Sequence, residues 1–452
     1  MNLHRLLRDR AAAGRPIRIG VIGAGKFGAM FLAQARLTPG FHVMAVADLS
    51  VPRAQDALRR TGWPEEAFAA RSFREARERG NVHLTEDAEA MIAADGLDVV
   101  IEATGDPAAG LRHALSAIAR KRHVVMVNVE ADVLAGPLIA RRAREAGVVY
   151  SLAYGDQPAL ICEQVDWARA AGFAVVAAGK GTKYRPAYHA STPDTVWGHY
   201  GLSPEAAKTG GMNPKMFNSF LDGTKSAIEM AAVANATGLS PAPDGLAFPP
   251  CSVDDLPRVL RPRVEGGTLA RKGVVEVISS ERRDGGKVER DLRWGTYVVF
   301  EALSDYAARC FGEYGLVTDD TGRYAALYRP YHLIGLELGI SVASVVLRGE
   351  ATGAATDFRG DVVAVAKRNL VAGEILDGEG GYTVWGRLMP AAESLTATAL
   401  PIGLAKDCAM RKPVAAGQIV RRADVALDET SQAARLRAEM ERMFAPAQAA
   451  AQ

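Results

Sequence analysis

The sequence predicts an α/β protein. Its first domain is a doubly wound parallel Rossmann-type sheet, followed by an α+β substrate domain and a small β-rich C-terminal module. Three observations support this fold class. Apolar segments of strand length alternate with segments of helix length over residues 17–155, which is typical of a parallel sheet with crossover helices. The first apolar segment runs directly into a glycine-rich turn. The alternation then stops, and short strands with tight turns follow.

The dinucleotide-binding domain is assigned to residues 1–158. Its predicted strands are short and apolar, and they cover residues 17–22, 41–47, 97–103, 123–128 and 148–152. Its predicted helices lie between them and cover residues 26–37, 51–61, 86–94, 107–121 and 132–146. The connection 64–84 is longer than usual and is expected to add a short helix.

The turn after the first strand reads Gly23-Ala-Gly25-Lys26-Phe27-Gly28. Gly23 allows the tight turn, Gly25 leaves room for a pyrophosphate, and Gly28 lets the helix pack closely on the strand. The start of that helix, with Lys26 and Phe27, offers free N–H groups and a positive dipole end to phosphates. The motif and its context predict dinucleotide binding.

Asp48 ends the second predicted strand, 20 residues after Gly28, where a carboxylate can accept hydrogen bonds from ribose hydroxyls. A carboxylate at this position favours NAD, because it repels the 2′-phosphate of NADP. Arg53 follows closely and can pair with that phosphate. These two residues leave the choice between NAD and NADP open.

Two further polar segments follow predicted strands. Thr104 and Gly105 come after the strand 97–103, and the nicotinamide is expected near them because ligands bind at the carboxyl ends of such strands. The alternative is a plain strand-ending turn. Glu130 follows the next strand, where it is either a polar group of the active site or the cap of the helix that comes after it.

The substrate domain is assigned to residues 159–350, starting with a helix over 159–171 and a strand over 173–178. The polar segment Gly-Lys180-Gly-Thr-Lys183-Tyr is predicted to be a loop after this strand. Lysines there can hold a substrate oxyanion or lower the pKa of a reacting group. A solvated loop is the alternative.

Later segments complete the predicted architecture. Residues 273–282 and 290–303 have the pattern of a β-hairpin, and 329–347 forms an apolar helix that can pack back on the first domain. Residues 361–430 contain two apolar–x–Gly–x–apolar turns and are assigned to the β-rich module. Residues 431–452 are predicted to be a helical tail that frays at its end.

Asn213 and Lys215 are candidate substrate-binding residues. Lys215 can meet a phosphate and Asn213 can donate and accept hydrogen bonds. The alternative is that Asn213 caps a helix, with Pro214 in its first turn. Both roles are compatible, since a helix N-terminus also attracts phosphate.

Asp222, Lys225 and Glu229 are spaced by three and four residues, which predicts one shared helix face. They form either an acid–base group that faces a cleft or a salt bridge on a solvated surface. No His, Cys and carboxylate cluster has metal-ligand spacing. Mg²⁺ held by Glu130, Asp222 or Glu229 remains an option, so the metal requirement is left unknown.

Composition excludes several classes of protein. The 452 residues have a formal charge of +2, which gives no case for a nucleic-acid or membrane partner. The four cysteines form no CxxC pair, which fits a reducing cytosol. A cytoplasmic enzyme with a small-molecule substrate, assembled as a homo-oligomer, is expected.

The glycine turn, Val-Val-Ile-Glu-Ala-Thr-Gly (99–105) and Ala-Ala-Gly-Lys-Gly-Thr-Lys-Tyr (177–184) resemble motifs of homoserine dehydrogenase. Lys180 stands where that family has Asn, and Asn128-Val-Glu130 replaces its Ala-Asn-Lys. Residues 361–430 resemble a SAF module. A homoserine-dehydrogenase-like half joined to a SAF module resembles a bacterial group that includes the type II form of 1-deoxy-D-xylulose 5-phosphate reductoisomerase.

The resemblance implies an NADPH-dependent reductoisomerase that makes 2-C-methyl-D-erythritol 4-phosphate for isoprenoid synthesis. It places Lys180 at a substrate-site position and favours NADP over NAD. Two alternatives stay open. One is an NAD(P)-dependent dehydrogenase of another polyol, a sugar acid or a homoserine-like substrate. The other is a non-catalytic sensor that binds a dinucleotide.

Overall fold

The computed structural model describes residues 2–444, which fall into two compact units. The first unit consists of Met1–Leu160 and His332–Thr356, and the second of Ile161–Tyr331 and Asp357–Gln452. The last part of the predicted tail, 445–452, lies outside the described residues. None of the helices in the described part of the chain is long and apolar enough to cross a membrane.

The first unit is built on a six-stranded sheet in the order β3-β2-β1-β4-β5-β6, with every neighbouring pair parallel. Its strands are β1 (Ile17–Ile22), β2 (Phe41–Ala47), β3 (His83–Thr85), β4 (Val99–Glu102), β5 (His123–Met126) and β6 (Tyr150–Leu152). This is the strand order of a doubly wound dinucleotide-binding fold, and it confirms the predicted fold class. Strand β3 was not predicted, because it lies in the polar connection 64–84 and has only three residues.

Helices cover this sheet, and most of them begin at a side-chain cap. They are α1 (Leu3–Ala12), α2 (Lys26–Ala35), α3 (Val51–Arg60), α4 (Phe73–Arg79), α5 (Ala88–Ala93), α6 (Pro107–Ala119) and α7 (Val129–Glu145), with a 3₁₀ turn at Glu65–Phe68. Ser50, Ser72, Asp87, Asp106 and Asn128 each accept a hydrogen bond from a first-turn N–H. These caps explain why the observed helix starts lie close to the predicted ones.

A helix from the middle of the chain, Gly339–Leu347, belongs to the first unit. Leu338, Val342 and Val345 are buried in the same core as the β1 side chains. The apolar helix predicted over 329–347 is shorter in the structure, because Arg329 ends a strand and residues 334–338 form turns.

Helix α7 is kinked at Ala135, whose φ is −152°. Pro137 causes the kink, since proline has no N–H to donate and its ring crowds the preceding turn. Asp132 is fully buried beside the kink and accepts a hydrogen bond from the Tyr150 hydroxyl at 2.9 Å. Among the described residues, the second carboxylate oxygen of Asp132 has no hydrogen-bond partner. Burial raises the pKa of Asp132 to about 7.

We therefore expect Asp132 to lower stability at neutral and alkaline pH. Its folded-state pKa lies above the unfolded value, so the stability contributed by the protonated carboxyl is lost as pH rises from about 4 to about 7. Asp132→Asn keeps the acceptor for Tyr150 and removes the charge. At pH 8 the variant should have a higher thermal midpoint than the wild type, and its free energy of unfolding should be larger by at most about 4 kcal/mol. At pH 4 the two proteins should unfold at the same temperature. Calorimetry at both pH values checks this, and an equal difference at both would contradict it.

The second unit contains a mixed sheet in the order β10-β9-β7-β8. Its strands are β7 (Ala174–Thr182), β8 (Val274–Ser279), β9 (Thr296–Glu301) and β10 (Tyr324–Arg329). Strand β7 is parallel to β8 and antiparallel to β9, so it lies between the two segments that were predicted to pair as a hairpin. The predicted pairing of these two strands is wrong, although the chain does turn back at the predicted position, where Glu281 and Lys287 form an antiparallel bridge. The turn signal is local, whereas Gly179 and Gly181 of β7 let the backbones of Glu276 and Leu292 approach where a Cβ would overlap them.

The remaining helices complete the list. They are α8 (Gln157–Ala170), which runs across the boundary of the units, α9 (Val196–Tyr200), α10 (Pro204–Thr209), α11 (Pro214–Asp222), α12 (Thr224–Thr237), α13 (Leu256–Val259), α14 (Asp305–Glu313), α15 (Gly339–Leu347, described above), α16 (Ala391–Thr396) and α17 (Gln432–Phe444). The C-terminal segment adds β11 (Gly360–Ala366), β12 (Ile375–Asp377), β13 (Val384–Pro390), β14 (Lys406–Met410) and β15 (Val425–Ala426). Strand β11 pairs with β13, and β12, β14 and β15 form a second small sheet.

Helix α12 is the centre of the second unit. It packs on β7 and β8 of the mixed sheet and on β11 and β13 of the C-terminal segment. Small residues make this possible, since a Cβ at Gly360 would lie 3.1 Å from the Ala231 Cα atom. The Asn235 side chain adds hydrogen bonds to both the N–H and the carbonyl of Gly360. The β-rich segment 361–430 is thus packed within the second unit, whereas it was predicted as a separate module.

The C-terminal helix is fixed to this segment by a buried ion pair. Arg437 of α17 is 1% exposed and donates to both carboxylate oxygens of Asp361, at 3.0 and 2.6 Å. Glu441 accepts a further hydrogen bond from the Arg437 guanidinium at 2.6 Å. Since a buried charge is tolerated only when it is paired, this contact ties α17 to β11.

Candidate functional site

The glycine turn of the first unit has the geometry of a phosphate cradle. Gly23 has a φ of +98°, and a Cβ there would lie 2.7 Å from the Ala103 carbonyl oxygen. A Cβ at Gly28 would overlap the Gly23 carbonyl oxygen. Gly25 differs, because it caps α2 with a φ of −66° and no described atom lies within 4 Å of its Cβ position. The space at Gly25, at the start of a helix that carries Lys26 and Phe27, fits a pyrophosphate.

The side chain of Asp48 holds this turn by a hydrogen bond to its backbone. Its carboxylate is 5% exposed and accepts hydrogen bonds from the backbone N–H groups of Ala24 and Ser50, at 2.8 and 3.0 Å. The Arg53 guanidinium also donates to it, with Nε at 2.8 Å. Arg53 is half exposed, so its remaining N–H groups can reach a phosphate. Asp48 and Arg53 therefore lie together, and their roles toward ribose and the 2′-phosphate stay predictions.

Thr104 and Gly105, which are expected to lie near the nicotinamide, follow the end of β4. The Thr104 hydroxyl donates to the buried Glu102 carboxylate at 2.6 Å. Gly105 has a φ of +74° and open space at its Cβ position. The Asn128 amide joins this region to the start of α7 by donating to the Asp106 carbonyl at 2.8 Å. These contacts fix the loop, and its role toward the nicotinamide stays a prediction.

Glu130 lies in the first turn of α7 and is partly buried. It does not cap the helix, because Asn128 accepts the hydrogen bond from Ala131 N at 3.1 Å. The capping alternative for Glu130 is therefore wrong. Its role as a polar active-site group stays a prediction.

Lys180 lies within strand β7 and not in a loop after it, so the predicted strand end was too early. Its ammonium is 5% exposed and forms an ion pair with the carboxylate of Glu229 on α12, which is 3% exposed. The structure thus joins two predicted catalytic residues. Taking both charges out of water is costly, and their contact offsets that cost.

Lys183 does not join this pair. It forms an ion pair with Glu281, which also accepts a hydrogen bond from the Tyr188 hydroxyl at 2.8 Å. The Arg185 guanidinium lies 3.2 Å from the same carboxylate. Since side chains alternate between the faces of an extended chain, residues three apart point to opposite sides. The two lysines therefore have different partners, and the catalytic role of Lys183 stays a prediction.

Asp222 is the last residue of α11, and Gly223 with a φ of +92° separates it from α12. Asp222 therefore does not share one helix with Lys225 and Glu229, as was predicted. The solvated-surface alternative also fails, because Asp222 and Glu229 are both buried. Lys225 is partly buried in the first turn of α12.

Asp222 is paired with Lys367, which was not among the predicted site residues. The Lys367 ammonium lies 2.7 Å from the Asp222 carboxylate and donates to the carbonyls of Ser191 and Gly381 at 2.7 and 2.8 Å. Burial raises the pKa of Asp222, and Lys367 opposes that rise. A lysine directly after the apolar strand β11 was the available signal in the sequence.

An aromatic and imidazole group lies next to Asp222. His189 Nδ1 is 2.7 Å from the Asp222 carbonyl oxygen, and His189 Nε2 is 2.9 Å from the Tyr184 hydroxyl. The His189 ring stacks on Trp385 and the Tyr184 ring stacks on Phe248, with centroid distances of 3.8 and 3.9 Å. Sequence reasoning missed this group, because its members are far apart in the chain.

Asn213 caps α11 as the capping alternative predicted, accepting hydrogen bonds from Lys215 N and Met216 N at 3.0 and 3.4 Å. Pro214 occupies the first turn. The Lys215 side chain is exposed, with its ammonium 3.4 Å from the Asp377 carbonyl oxygen. Substrate binding by Asn213 and Lys215 stays a prediction.

The carboxylates do not fit a magnesium site. In the part of the chain that the structure describes, no group of three or more His, Cys, Asp or Glu side chains could hold a metal. Asp222 and Glu229 each contact a buried ammonium instead. A cation next to these ammonium groups would be repelled.

Two family models match different parts of the chain. One, GFO_IDH_MocA, is described as an oxidoreductase family with an NAD-binding Rossmann fold and matches residues 17–127. The other is described as the catalytic domain of the oxidoreductase DRL and matches residues 155–338. None of the curated proteins compared matches the chain significantly.

Solved structures show weak similarity. An oxidoreductase from Agrobacterium radiobacter in complex with NAD⁺, L-tartaric acid and magnesium is 16% identical, with 38% of this chain and 44% of that chain covered and a TM-score of 0.28. Myo-inositol dehydrogenase from Lactobacillus casei in complex with NAD(H) and myo-inositol is 18% identical, with 40% of this chain and 50% of that chain covered and a TM-score of 0.28. Biliverdin reductase from Synechocystis in complex with biliverdin and NADP⁺ is 18% identical, with 43% of this chain and 55% of that chain covered and a TM-score of 0.27. The chain spans about half the length of these proteins.

Replacing Gly25 by valine should abolish dinucleotide binding without unfolding the protein. The Cβ position of Gly25 is open, so the side chain fits the free protein and occupies the place of the pyrophosphate. Calorimetric titration with NAD⁺ and NADP⁺ and the thermal midpoint check both parts. Gly28→Ala serves as the contrast, because its Cβ would overlap the Gly23 carbonyl and should lower the thermal midpoint as well. Unchanged affinity in Gly25→Val would show that the turn is only structural.

Replacing Arg53 by alanine should weaken NADPH binding about tenfold to hundredfold, the range for a charge-assisted hydrogen bond, and NADH binding much less. Arg53 neutralises Asp48 and keeps exposed N–H groups for a 2′-phosphate. Dissociation constants for both nucleotides give the answer. Arg60→Ala, at an exposed position on the same helix, is the control. Equal losses for both nucleotides, or a wild-type preference for NADH, would show that Asp48 decides for NAD.

Neither family model is described as homoserine dehydrogenase, as a SAF module or as 1-deoxy-D-xylulose 5-phosphate reductoisomerase, so those resemblances are not supported. What the two models have in common is oxidoreductase chemistry. The nucleotide-binding match covers the glycine turn and Asp48, and the catalytic match covers Lys180 and Glu229. Residues 17–127 are thus similar to the NAD-binding Rossmann domain of an oxidoreductase family, and residues 155–338 are similar to an oxidoreductase catalytic domain.

Proposed function

We propose that this protein is an NAD(P)-dependent dehydrogenase of a small polyhydroxylated substrate, such as a polyol or a sugar acid. The observation that carries the proposal is the buried ion pair of Lys180 and Glu229 within the segment that matches an oxidoreductase catalytic domain. The open cradle at Gly25 supports nucleotide binding in the same chain. A cytoplasmic location and a homo-oligomeric state are part of this proposal.

The pair has the chemistry that a polyol site needs. A bound nicotinamide accepts or supplies a hydride. The Lys180 ammonium can donate to a substrate oxygen on which negative charge develops, and the Glu229 carboxylate can accept from a neighbouring hydroxyl. Because the two side chains hold each other, both groups are oriented before a substrate arrives.

A second candidate is the reductoisomerase that converts 1-deoxy-D-xylulose 5-phosphate. The observation in its favour is the exposed Lys215 at the N-terminal end of α11, where a phosphate would meet an ammonium and the positive end of the helix dipole. A polyol or sugar-acid dehydrogenase does not need that feature. The third candidate, a dinucleotide sensor, predicts nucleotide binding without turnover.

The purified protein should oxidise at least one member of a panel of polyols and sugar acids with NAD⁺ or NADP⁺. The appearance of reduced nicotinamide absorbance measures this. In parallel, 1-deoxy-D-xylulose 5-phosphate with NADPH tests the reductoisomerase, with product identification. Turnover of the phosphorylated ketose alone would favour the second candidate. Tight nucleotide binding with no turnover of any compound would favour the sensor.

Lys180→Met should lower kcat and kcat/KM together, by about 10²–10³-fold, because it removes stabilisation of charge in the transition state. Nucleotide affinity should not change. Lys215→Met should instead raise KM for a phosphorylated substrate. Lys272→Met, which removes another lysine–glutamate pair of the second unit, is the control.

The lone Glu229 left by Lys180→Met can destabilise the fold, so the double variant Lys180→Met/Glu229→Leu is measured as well. If a folded protein lacking both charges keeps wild-type turnover, the proposed site is wrong.

A further inference from the structure

We propose that the phenol of Tyr184 exchanges a proton with the substrate oxygen, and that His189 takes up or returns this proton. The inference rests on the proposed dehydrogenase function and assigns its acid–base residues. Neither residue was among the predicted site residues.

The hydrogen bonds fix the tautomer of His189. Its Nδ1 faces the carbonyl oxygen of Asp222 at 2.7 Å, and a carbonyl only accepts, so Nδ1 carries the hydrogen. In the neutral ring Nε2 is then an acceptor. The Tyr184 hydroxyl lies 2.9 Å from Nε2 and must be the donor. The phenol is therefore already bonded to a base through its own proton.

The surroundings keep His189 neutral. Burial lowers its pKa. Of the charged groups that face it, Asp222 raises this pKa and Lys367 lowers it. Burial also raises the pKa of the Tyr184 hydroxyl, with Arg283 lowering it and Glu276 raising it. Both groups are thus in the protonation states that the relay needs near neutral pH.

The ring of Tyr184 is held by a strained residue. It stacks on Phe248 at 3.9 Å with an interplanar angle of 16°. Phe248 is 3% exposed and has a φ of +50°, which is rare for a bulky side chain. Such a conformation persists only where neighbouring groups enforce it, and it is enriched at functional sites.

Two charged side chains enforce the Phe248 conformation. The Glu276 carboxylate accepts from the N–H groups of Ala247 and Phe248, at 3.0 and 3.3 Å. The Arg283 guanidinium donates to the carbonyls of the same two residues, at 2.8 and 3.0 Å. Arg283 also lies over the Tyr184 ring, 5.3 Å from its centroid. These hydrogen bonds hold the backbone of Phe248 at its unfavourable φ, with the ring stacked on Tyr184.

The imidazole is held from the other side by the C-terminal segment. Trp385 stacks on His189 at 3.8 Å, and Lys367 neutralises Asp222, whose carbonyl fixes the tautomer. Trp385 and Lys367 lie outside both family matches, so the segment beyond residue 338 supplies positioning residues for this group.

The proton balance for alcohol oxidation closes with these residues. The substrate O–H bond breaks and its proton passes to the Tyr184 oxygen, while the Tyr184 proton passes to His189 Nε2. The electron pair of the substrate C–H bond leaves with its hydrogen as a hydride to an oxidised nicotinamide. The products are a carbonyl compound, a reduced nicotinamide and an imidazolium. His189 is only partly buried, so the imidazolium can return its proton to solvent.

The kinetic test compares Tyr184→Phe and His189→Gln with Tyr324→Phe, which removes another buried tyrosine hydroxyl of the second unit. Tyr184→Phe should lower kcat by about 10²–10⁴-fold with unchanged nucleotide affinity. In the wild type, oxidation should slow as pH falls through the pKa of His189, because the imidazolium cannot accept a proton. His189→Gln should lose this limb of the pH profile. Wild-type kcat in folded Tyr184→Phe would overturn the proposal.

A spectroscopic test does not depend on a substrate. The ¹⁵N chemical shifts of His189, assigned with His189→Gln, should show the Nδ1–H tautomer in the wild type. Tyr184→Phe should shift the Nε2 signal, whereas Tyr324→Phe should not. An Nε2–H tautomer in the wild type would overturn the relay whatever the turnover. The expected shifts combined with no turnover of any panel compound would support the relay and place the failure in the proposed substrate class.

Discussion

The burial of helix α12 is the constraint on which the second unit depends. The helix lies between the mixed sheet and the β11–β13 pair, so the carboxylates at its start and in its middle are shielded from water. A buried carboxylate must be paired, and each is matched by a buried lysine. Glu229 contacts Lys180 and Asp222 contacts Lys367. The packing of one helix therefore dictates where two lysines of the unit lie.

The candidate acid–base and charge-stabilising residues lie at different positions along α12 and the residue before it. Asp222 directly precedes the break at Gly223, and Glu229 lies seven residues later within α12. The proposed relay of Tyr184 and His189 lies beside Asp222, before the start of α12, and the ammonium of Lys180 lies at Glu229 in the middle of the helix. Hydride transfer to or from a polar substrate requires a group that carries the proton and a fixed positive charge that stabilises the substrate oxygen.

The glycine turn of the first unit is fixed by contacts within one strand–turn–helix–strand unit. Gly23 and Gly28 leave no room for a Cβ, whereas the Cβ position of Gly25 is open, and Asp48 connects the turn to β2 through the N–H of Ala24. Such contacts join residues of one strand–turn–helix–strand unit, so the motif predicted the fold, and the binding of a dinucleotide at the turn stays a prediction. The candidate site of the second unit was predicted only in part. Lys180 and Glu229 were named, but their contact, the strand around Lys180 and the partner of Asp222 were not.

By itself the sequence determined the parallel sheet, the glycine turn, most helix starts and the buried character of the helix around Ser341. These features depend on local periodicity, on caps and on glycine stereochemistry, which are readable within a few residues. Only the tertiary structure decided that β7 separates β8 from β9, that Gly223 breaks the helix after Asp222, and that Lys367 and Trp385 reach Asp222 and His189. The contacts of β7 with β9, of Lys367 with Asp222 and of Trp385 with His189 join residues more than a hundred positions apart. They are set by the burial of charge and the fit of whole surfaces, which no local pattern records. The break at Gly223 is local, but an isolated glycine in a helical pattern does not by itself end a helix.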